Sequence, residues 1–367
     1  MSLLTRIHIQ LIRLQSRITS ARRWRGAPGR DAIRFDCGFD LVPGREHILG
    51  GGLVKVQDLL SRFPAHRASP NILYLISSAL PHDADIQIRA CKRAGGYFVL
   101  NQNGVAYPGW HGPGWEVANR PMRFAHAQAD HVVYQSRFCR EGAEKFLGPH
   151  DGPSSILHNP VDTAFFTPAD EIPPGGPVLL LAGTHQFQYR ADTALETLAA
   201  LRETLPDARL IIAGRHTWAP EAEAAAHLEA RTRELNLGDA LTRLPPYSQS
   251  EAPALFRRAH FLLHTKYNDP CPRLVVEAMA CGLPVIHSAS GGLPELIPPE
   301  AGAGVPAPAD YENDHPPAAE DLARAVRDLW PRYAAAREAA RRHTAENLDV
   351  QPWLDAHETL FKALLSP

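Results

Sequence analysis

The sequence predicts an α/β protein made of two Rossmann-like, doubly wound domains that face each other across a cleft. Three observations lead there. Short apolar runs alternate with helical patterns through most of the chain, as parallel β-α-β units require. The alternation stops at a proline- and glycine-rich stretch, Pro168–Pro177 (PADEIPPGGP), and restarts beyond it. The chain has 367 residues, more than a usual single domain and enough for two. The expected division is a basic amphipathic helix over 1–30, a first Rossmann-like domain over 31–167, a second over 168–350, and a C-terminal helix over 351–367 that packs back on the first domain.

Residues 1–30 carry seven arginines and no acid. Leu4, Ile7, Leu11, Leu14 and Ile18 recur at spacings of three and four, which draws one apolar stripe along a helix. Arg6, Arg13 and Arg17 interrupt any continuous apolar core of a secretory signal. Three readings stay open for residues 1–24: a helix lying on an anionic membrane surface, an extra helix packed on the first domain or a partner, or an organellar transit peptide, the least favoured of the three.

The strands and helices follow in order. Arg34–Val42 reads as a strand, Gly50-Gly51-Gly52 as part of a loop, and Leu53–Phe63 as a helix. Asn71–Ser77 (NILYLIS) is a buried strand, Asp85–Ala94 a helix and Tyr97–Leu100 a strand ending in Asn101-Gln102-Asn103-Gly104. Pro108–Trp115 is a glycine- and aromatic-rich loop, Arg120–Ala129 a helix, His131–Gln135 a strand, Arg137–Leu147 a helix and Ser155–Leu157 a short strand. Beyond the break come strands Val178–Leu181, Arg209–Ala213, Leu241–Leu244, Phe261–His264 and Pro284–Ile286. Between them lie helices Ala191–Leu205, Pro220–Leu235, Ser250–Arg258 and Pro272–Ala280. Two long helices, Ala318–Glu346 and Pro352–Leu365, close the chain.

Composition narrows the class. Apolar residues at 44% and charged residues at 21% suit a well-cored globular protein. A formal net charge of −2 supplies no general field for nucleic acid. Five scattered cysteines without a C-x2-C pair point to reduced thiols in the cytoplasm, with neither a zinc site nor a disulfide framework. No run reaches the ~18–20 apolar residues that span a bilayer.

The chemistry concentrates in Lys266–Glu295, KYNDPCPRLVVEAMACGLPVIHSASGGLPE. A strand ends at His264, a polar loop carries Asp269, and Pro272 suits the first position of the next helix. The exposed N–H groups and positive dipole end of that helix make a seat for an anion such as a diphosphate. Asp269 and Glu277, placed beside it, can accept hydrogen bonds from sugar and ribose hydroxyls. An ordinary β-α-β unit with an exposed acid is the plainer reading of the same residues.

In these residues the chain resembles the family 4 retaining glycosyltransferases, which have the GT-B fold. The family pattern is an acid, seven residues and a helical Glu, then E-A-M-A-x-G-x-P-V and G-G-x-x-E. It is matched by Asp269, Glu277, Ala278, Met279, Ala280, Gly282, Pro284, Val285, Gly291, Gly292 and Glu295. A second match, Leu180 to Arg190, puts Gly183 at the phosphate-approaching glycine and Arg190 at the phosphate-gripping base. Thr184 stands where the family has a first arginine, and Asp269 where it usually has Glu. Arg273 either supplies the missing charge or is a solvated surface residue.

The resemblance implies a retaining transfer of a hexose from a nucleoside-diphosphate sugar, without metal or other cofactor, to a glycan or lipid-linked glycan. It implies donor contacts by Gly183, Thr184, Arg190, Arg215, Tyr247, Asp269, Cys271, Pro272, Arg273, Leu274 and Glu277. Asp269 would contact the hexose and Glu277 the ribose. Asp269, Glu277, Arg190 and Asn103 are the expected catalytic set. Gly51, Gly52, Asn103 and His111 are expected on the acceptor side of the first domain, although Gly50–Gly52 also reads as a plain turn and His111 as a solvated loop residue. Relatives carry a histidine near Gln102 and Asn103; neither of these residues titrates, so neither is a general base. Asp83-Ala84-Asp85 mimics a metal-holding D-x-D but suits the start of a helix, and His158 reads as structural. The alternatives are a sugar-nucleotide epimerase, a phosphorylase, an inverting transferase, and a catalytically impaired partner subunit that binds donor. A nicotinamide dehydrogenase is disfavoured, because no G-x-G-x-x-G follows a strand.

Overall fold

The computed structural model describes residues 14–26 and 28–366, and the chain divides into two compact units. The first comprises residues up to Gly44, Gly50–His158 and the segment from Gln351; the second comprises Arg45–Leu49 and Asn159–Val350. The Pro168–Pro177 stretch, expected to join the domains, therefore lies wholly inside the second unit. The reason is packing: Val161 and Phe166, ahead of those prolines, are fully buried in the second unit's core. The chain leaves the first unit after His158, whose ring contacts Gln135 O at 2.8 Å. Asn159 already bonds Cys271 in the second.

The first unit is a five-stranded parallel sheet in the order β1 (Phe35–Asp36), β2 (Ile72–Ile76), β3 (Tyr97–Gln102), β4 (His131–Tyr134) and β5 (Ser154–Ile156). Both faces are covered. On one, the rings of Phe35 and Tyr74 meet Phe361 of helix Val350–Leu365, and Phe63, ending helix Gly51–Arg62, packs on the same phenylalanine. On the other, Leu73 and Leu75 join Ile88 of helix Ala84–Ala94 and Ala125 of helix Arg120–Gln128. The crossovers β1→β2 and β2→β3 step the same way along the sheet, yet their helices take opposite faces. They are therefore of opposite hand, and one of them departs from the right-handed norm.

The second unit is a six-stranded parallel sheet in the order β11-β10-β9-β6-β7-β8. Its strands are β6 (Val178–His185), β7 (Arg209–His216), β8 (Leu241–Leu244), β9 (Phe261–His264), β10 (Val285–Ala289) and β11 (Gly302–Pro306). Strand order reverses between β6 and β9, with apolar clusters on both faces. Such a reversal opens a crevice at the carboxyl ends of the two strands.

Several expectations need correction. The strand expected over Arg34–Val42 shrinks to β1, because Gly38 turns the chain away at φ +78°. Gly51 and Gly52 are the first turn of a helix, with Gly50 as its cap, and not a loop. The loop Pro108–Trp115 holds helix Pro108–His111, and helix Trp115–Ala118 follows. The helix expected over Ala318–Glu346 is broken at Trp330–Arg332, where Pro331 denies the ladder a donor. Leu4, Ile7 and Leu11 of the N-terminal stripe lie outside the described residues. Residues 14–23 are helical, with Leu14 and Ile18 exposed. This helix is tied to the first unit by Trp24, buried with Leu73, and by Arg23, 3.1 Å from Asp36 and 2.5 Å from Asp40. No helix among the described residues is long and apolar enough to cross a membrane.

Candidate functional site

The reversal between β6 and β9 gathers most of the residues singled out in the second unit. β6 reaches the carboxyl edge at Gly183, Thr184 and His185, and β9 ends there at His264. Gly183 has φ +96°, and a Cβ on it would come 3.5 Å from Leu274 at the start of helix Arg273–Ala280. On β7, a Cβ at Gly214 would sit 1.9 Å from Gly183 O, so only glycine lets the two strands run this close. Arg215 pairs in register with Thr184, and both are exposed at the rim.

Arg190 lies in the first turn of helix Tyr189–Arg202 and is buried. Its Nη1 donates to Thr184 O at 2.7 Å, and its own carbonyl accepts from Thr265 Oγ1 at 3.0 Å, which binds the helix start to the end of β9. Its Nε is buried without a hydrogen-bond partner among the described residues. Burial pushes the guanidinium's pKa down, with Asp269 pulling against it. A buried cation of this kind is stabilised by any anion that arrives beside it.

Asp269 Oδ2 lies 3.2 Å from His264 Nε2 and 3.3 Å from Lys266 Nζ. Burial pushes its pKa up, but Lys266, His264 and Arg190 together outweigh that and hold it well below the usual carboxylate range. Its carbonyl accepts from Gly292 N at 2.9 Å, and a Cβ on Gly291 would lie 2.4 Å from that oxygen. Glycine at position 291 is thus needed for the two loops to touch. Glu277, on the following helix, accepts from Arg273 Nε at 2.9 Å and Gln249 Nε2 at 3.3 Å. Arg273 is therefore a buried ion-pair partner of Glu277 and not a solvated surface residue. The Tyr247 hydroxyl has its pKa raised by burial and by Glu277, against Arg190, so it sits in the field of both. Pro272 caps the helix in extended conformation, and Cys271 beside it is buried and held by Asn159.

A feature that spacing alone did not reveal is a row of histidines along this edge: His216 on β7, His185 on β6, His264 on β9 and His287 on β10. His185 and His216 have ring centroids 4.8 Å apart, and His264 and His287 pair in register. Burial lowers the pKa of all four, to about 4 for His287. Lys266 escaped notice as well, although it stands between the end of β9 and Asp269 in the sequence.

The first unit's candidates form a smaller group. Asn103 follows β3 and its N–H donates to Ser77 Oγ at 2.9 Å. A Cβ on Gly52 would meet Ser78 Oγ and Ala79 Cβ at 3.0 Å, so both residues bracket the turn Ser77–Ala79 after β2. Gly51 faces open space, and His111 is exposed beside Trp110. Gln102 is buried and donates to Asn103 O and Gly104 O. Asp83 opens helix Ala84–Ala94 and accepts from Gln87 Nε2 at 3.0 Å. Among the described residues no group of three or more His, Cys, Asp or Glu could hold a metal ion.

Residues 163–343, just under half of the chain, match the family described as glycosyl transferases group 1. A D-inositol 3-phosphate glycosyltransferase of Mycobacterium sp. (strain JLS) is 31% identical over 181 residues, 46% of this chain and 39% of the relative. A second D-inositol 3-phosphate glycosyltransferase, from Mycolicibacterium gilvum, is 32% identical over 180 residues, again 46% of this chain and 39% of the relative. The chain thus spans less than half the length of these curated relatives. Among solved structures, a glycosyltransferase from Rickettsia africae aligns with TM-score 0.65 at 16% identity, covering 86% of this chain and 89% of that one. Anabaena HepE in complex with UDP and glucose aligns with TM-score 0.64 at 17% identity, covering 86% and 84%. At these identities the likeness is one of fold, and the fold is GT-B, with two Rossmann-like domains.

Proposed function

We propose, from the match to glycosyl transferases group 1 over residues 163–343, that the chain is a retaining glycosyltransferase of the family 4 type. It moves a hexose from a nucleoside-diphosphate sugar to a glycan or lipid-linked glycan. The observation that carries this reading is the gathering of Gly183, Arg190 and the start of helix Arg273–Ala280 at the β6–β9 reversal, with Asp269 and Glu277 beside them. Arg190 and the helix N–H groups take the diphosphate, Asp269 the hexose and Glu277 the ribose, while Tyr247, Thr184 and Arg215 complete the donor side. In the transfer the bond from C1 to the diphosphate oxygen breaks and a bond from C1 to the acceptor oxygen forms on the same face. The acceptor's proton passes to the departing phosphate. A buried cation and oriented N–H dipoles stabilise charge developing on that phosphate without a metal ion. The acceptor side falls to the first unit, with Gly52 and Asn103 at the Ser77–Ala79 turn, and with Gly51 and His111.

Five buried cysteines, none of them in a disulfide, support a cytoplasmic setting. The exposed Leu14 and Ile18 beside Arg17 and Arg22 support peripheral attachment of residues 1–24 to an anionic membrane. Deleting 1–24 should abolish sedimentation with liposomes containing acidic lipid, and unchanged sedimentation would discard the attachment. The main test is a screen of UDP- and GDP-sugars for thermal stabilisation, followed by nucleotide release with glycan and lipid-linked acceptors. Failure of every nucleotide sugar to bind would sink the reading. Binding without turnover on any acceptor would favour the impaired partner subunit, for which Thr184 in place of a cation speaks.

A further inference from the structure

Asp269 is one methylene shorter than the glutamate usual at its position, and the structure holds it through both its main chain and its side chain. Its main chain is fixed on both sides. Asn268 N donates to Ser290 Oγ at 2.8 Å, and Asp269 O accepts from Gly292 N at 2.9 Å. Its side chain is then held at one oxygen only. His264 Nε2 and Lys266 Nζ both converge on Oδ2, whereas Oδ1 accepts no hydrogen bond among the described residues. The Asp269 side chain keeps 13% exposure, and that of His264 only 3%.

The tautomer of His264 follows from its surroundings. Nδ1 is buried with no partner, so the single proton of the neutral ring belongs on Nε2, where the carboxylate accepts it. Burial favours that neutral ring, with Asp269 pulling the other way. His264 is the last residue of β9, paired in register with His287 of β10, and so is held as rigidly as the sheet itself. Lys266 is a flexible point charge by comparison.

We propose that His264 is a positioning residue that, with Lys266, clamps Asp269 through Oδ2 and so presents Oδ1 as a fixed acceptor for one hydroxyl of the donor hexose. This deepens the donor-site reading above and rests on it. The clamp makes the sugar, and not the nucleotide, depend on His264. A fixed carboxylate oxygen rewards a hydroxyl at one position of the ring and leaves a deoxy sugar without reward, because a buried acceptor with no donor is costly.

The experiment measures affinity by calorimetry for UDP-glucose against UDP and for GDP-mannose against GDP, using the full chain. In His264→Phe, which keeps the bulk and removes the donor, affinity for the sugar nucleotide that binds wild type should fall about 10-fold or more. Affinity for the free nucleotide should stay within about twofold. His264→Gln, which restores an N–H donor, should recover part of the loss. Lys266→Met should lose less than His264→Phe and in the same direction. With the nucleotide sugar deoxygenated at the contacted position, wild type and His264→Phe should bind alike. Equal losses for sugar nucleotide and free nucleotide, with both variants folded by circular dichroism, would overturn the clamp and leave the donor-site reading intact. Should His264→Phe fail to fold, His264→Gln and Lys266→Met carry the same comparison. Wild type that binds the free nucleotides and neither sugar nucleotide would overturn the clamp. Wild type that binds no nucleotide would remove the donor site and the clamp together.

Discussion

Both sheets are built from parallel β-α-β units, yet they arrange them differently. In the second unit the order turns back between β6 and β9, so two strands diverge from a common crevice and their ends carry Gly183 and His264. In the first unit β1 to β5 follow one another across the sheet without reversal, and of its candidates Gly52 and Asn103 meet at the turn after β2. A reversal concentrates backbone glycines, a buried cation and two acids in one place. A monotonic order spreads its strand ends along an edge. The difference teaches that the denser polar site comes with the topology, because the local element patterns of the two halves are alike.

The sharpest way to break this comparison is steric. Gly214→Ala places a Cβ 1.9 Å from Gly183 O at φ +120°, and should destabilise the second unit by about 4 kcal/mol or prevent its folding. Gly51→Ala, at a first-turn position with open space around it, should be neutral or stabilising by about 0.5 kcal/mol. Urea unfolding of each variant reads the contrast directly, and equal effects would contradict it. Next in size, Arg190→Ala should weaken binding of whichever free nucleotide, UDP or GDP, wild type binds roughly 100-fold, about 2.7 kcal/mol, in calorimetry. Asn103→Ala, in the first unit, should leave affinity for that nucleotide unchanged and lower kcat by ~10-fold.

Acid should separate the units by a smaller margin. Buried histidines have folded pKa values below their unfolded value of roughly 6.5, to about 4 for His126 and His357 in the first unit and for His287 in the second. His185, His216, His260 and His264 add to the second unit, against His131 in the first. Between those pKa values the unfolded chain binds more protons than the folded one. For His126, His357 and His287 that stabilisation is therefore complete above pH ~6.5 and drains away as pH falls towards ~4, by about 2 kcal/mol each at pH ~5, and the other histidines act in the same direction. Hydrogen exchange of segments 178–264 and 72–134 across this range should show protection falling faster in the second unit. The smallest effect belongs to Arg62, which bonds Asp355 and Glu358 at the surface. Arg62→Ala should leave the melting temperature unchanged at moderate salt, since exposed ion pairs are screened.

Much of the fold could be read from the residues because periodicity reports local structure. β8 and β9 coincide with the strands expected at Leu241–Leu244 and Phe261–His264. What escaped depends on distant partners. β11 is GAGVP, poor in strand formers, and exists because Gly302 lets the chain approach Val285 O, which a Cβ would meet at 2.3 Å. The prolines of 168–177 look like a break between units, but buried Phe166 binds that stretch to the second core. Of the site, Asp269, Glu277, Gly183 and Arg190 were visible through the resemblance to the family 4 pattern. The Arg273–Glu277 pair and the histidine row were not, since one is a rotamer choice and the other depends on strand order.

The passage of the chain through its two units has a consequence for biosynthesis. Val161 runs beside Asp349, with Val161 N bonded to Leu348 O and Val350 N to Val161 O, so departure and return are fastened at one point. Residues 159–350 can complete their sheet as soon as they leave the ribosome. The earlier strands must wait with Phe35 and Tyr74 only partly covered, by Phe63, until Phe361 and His357 are translated. The half made first is thus finished last, and its partly covered aromatic face is where a nascent chain would call on a chaperone.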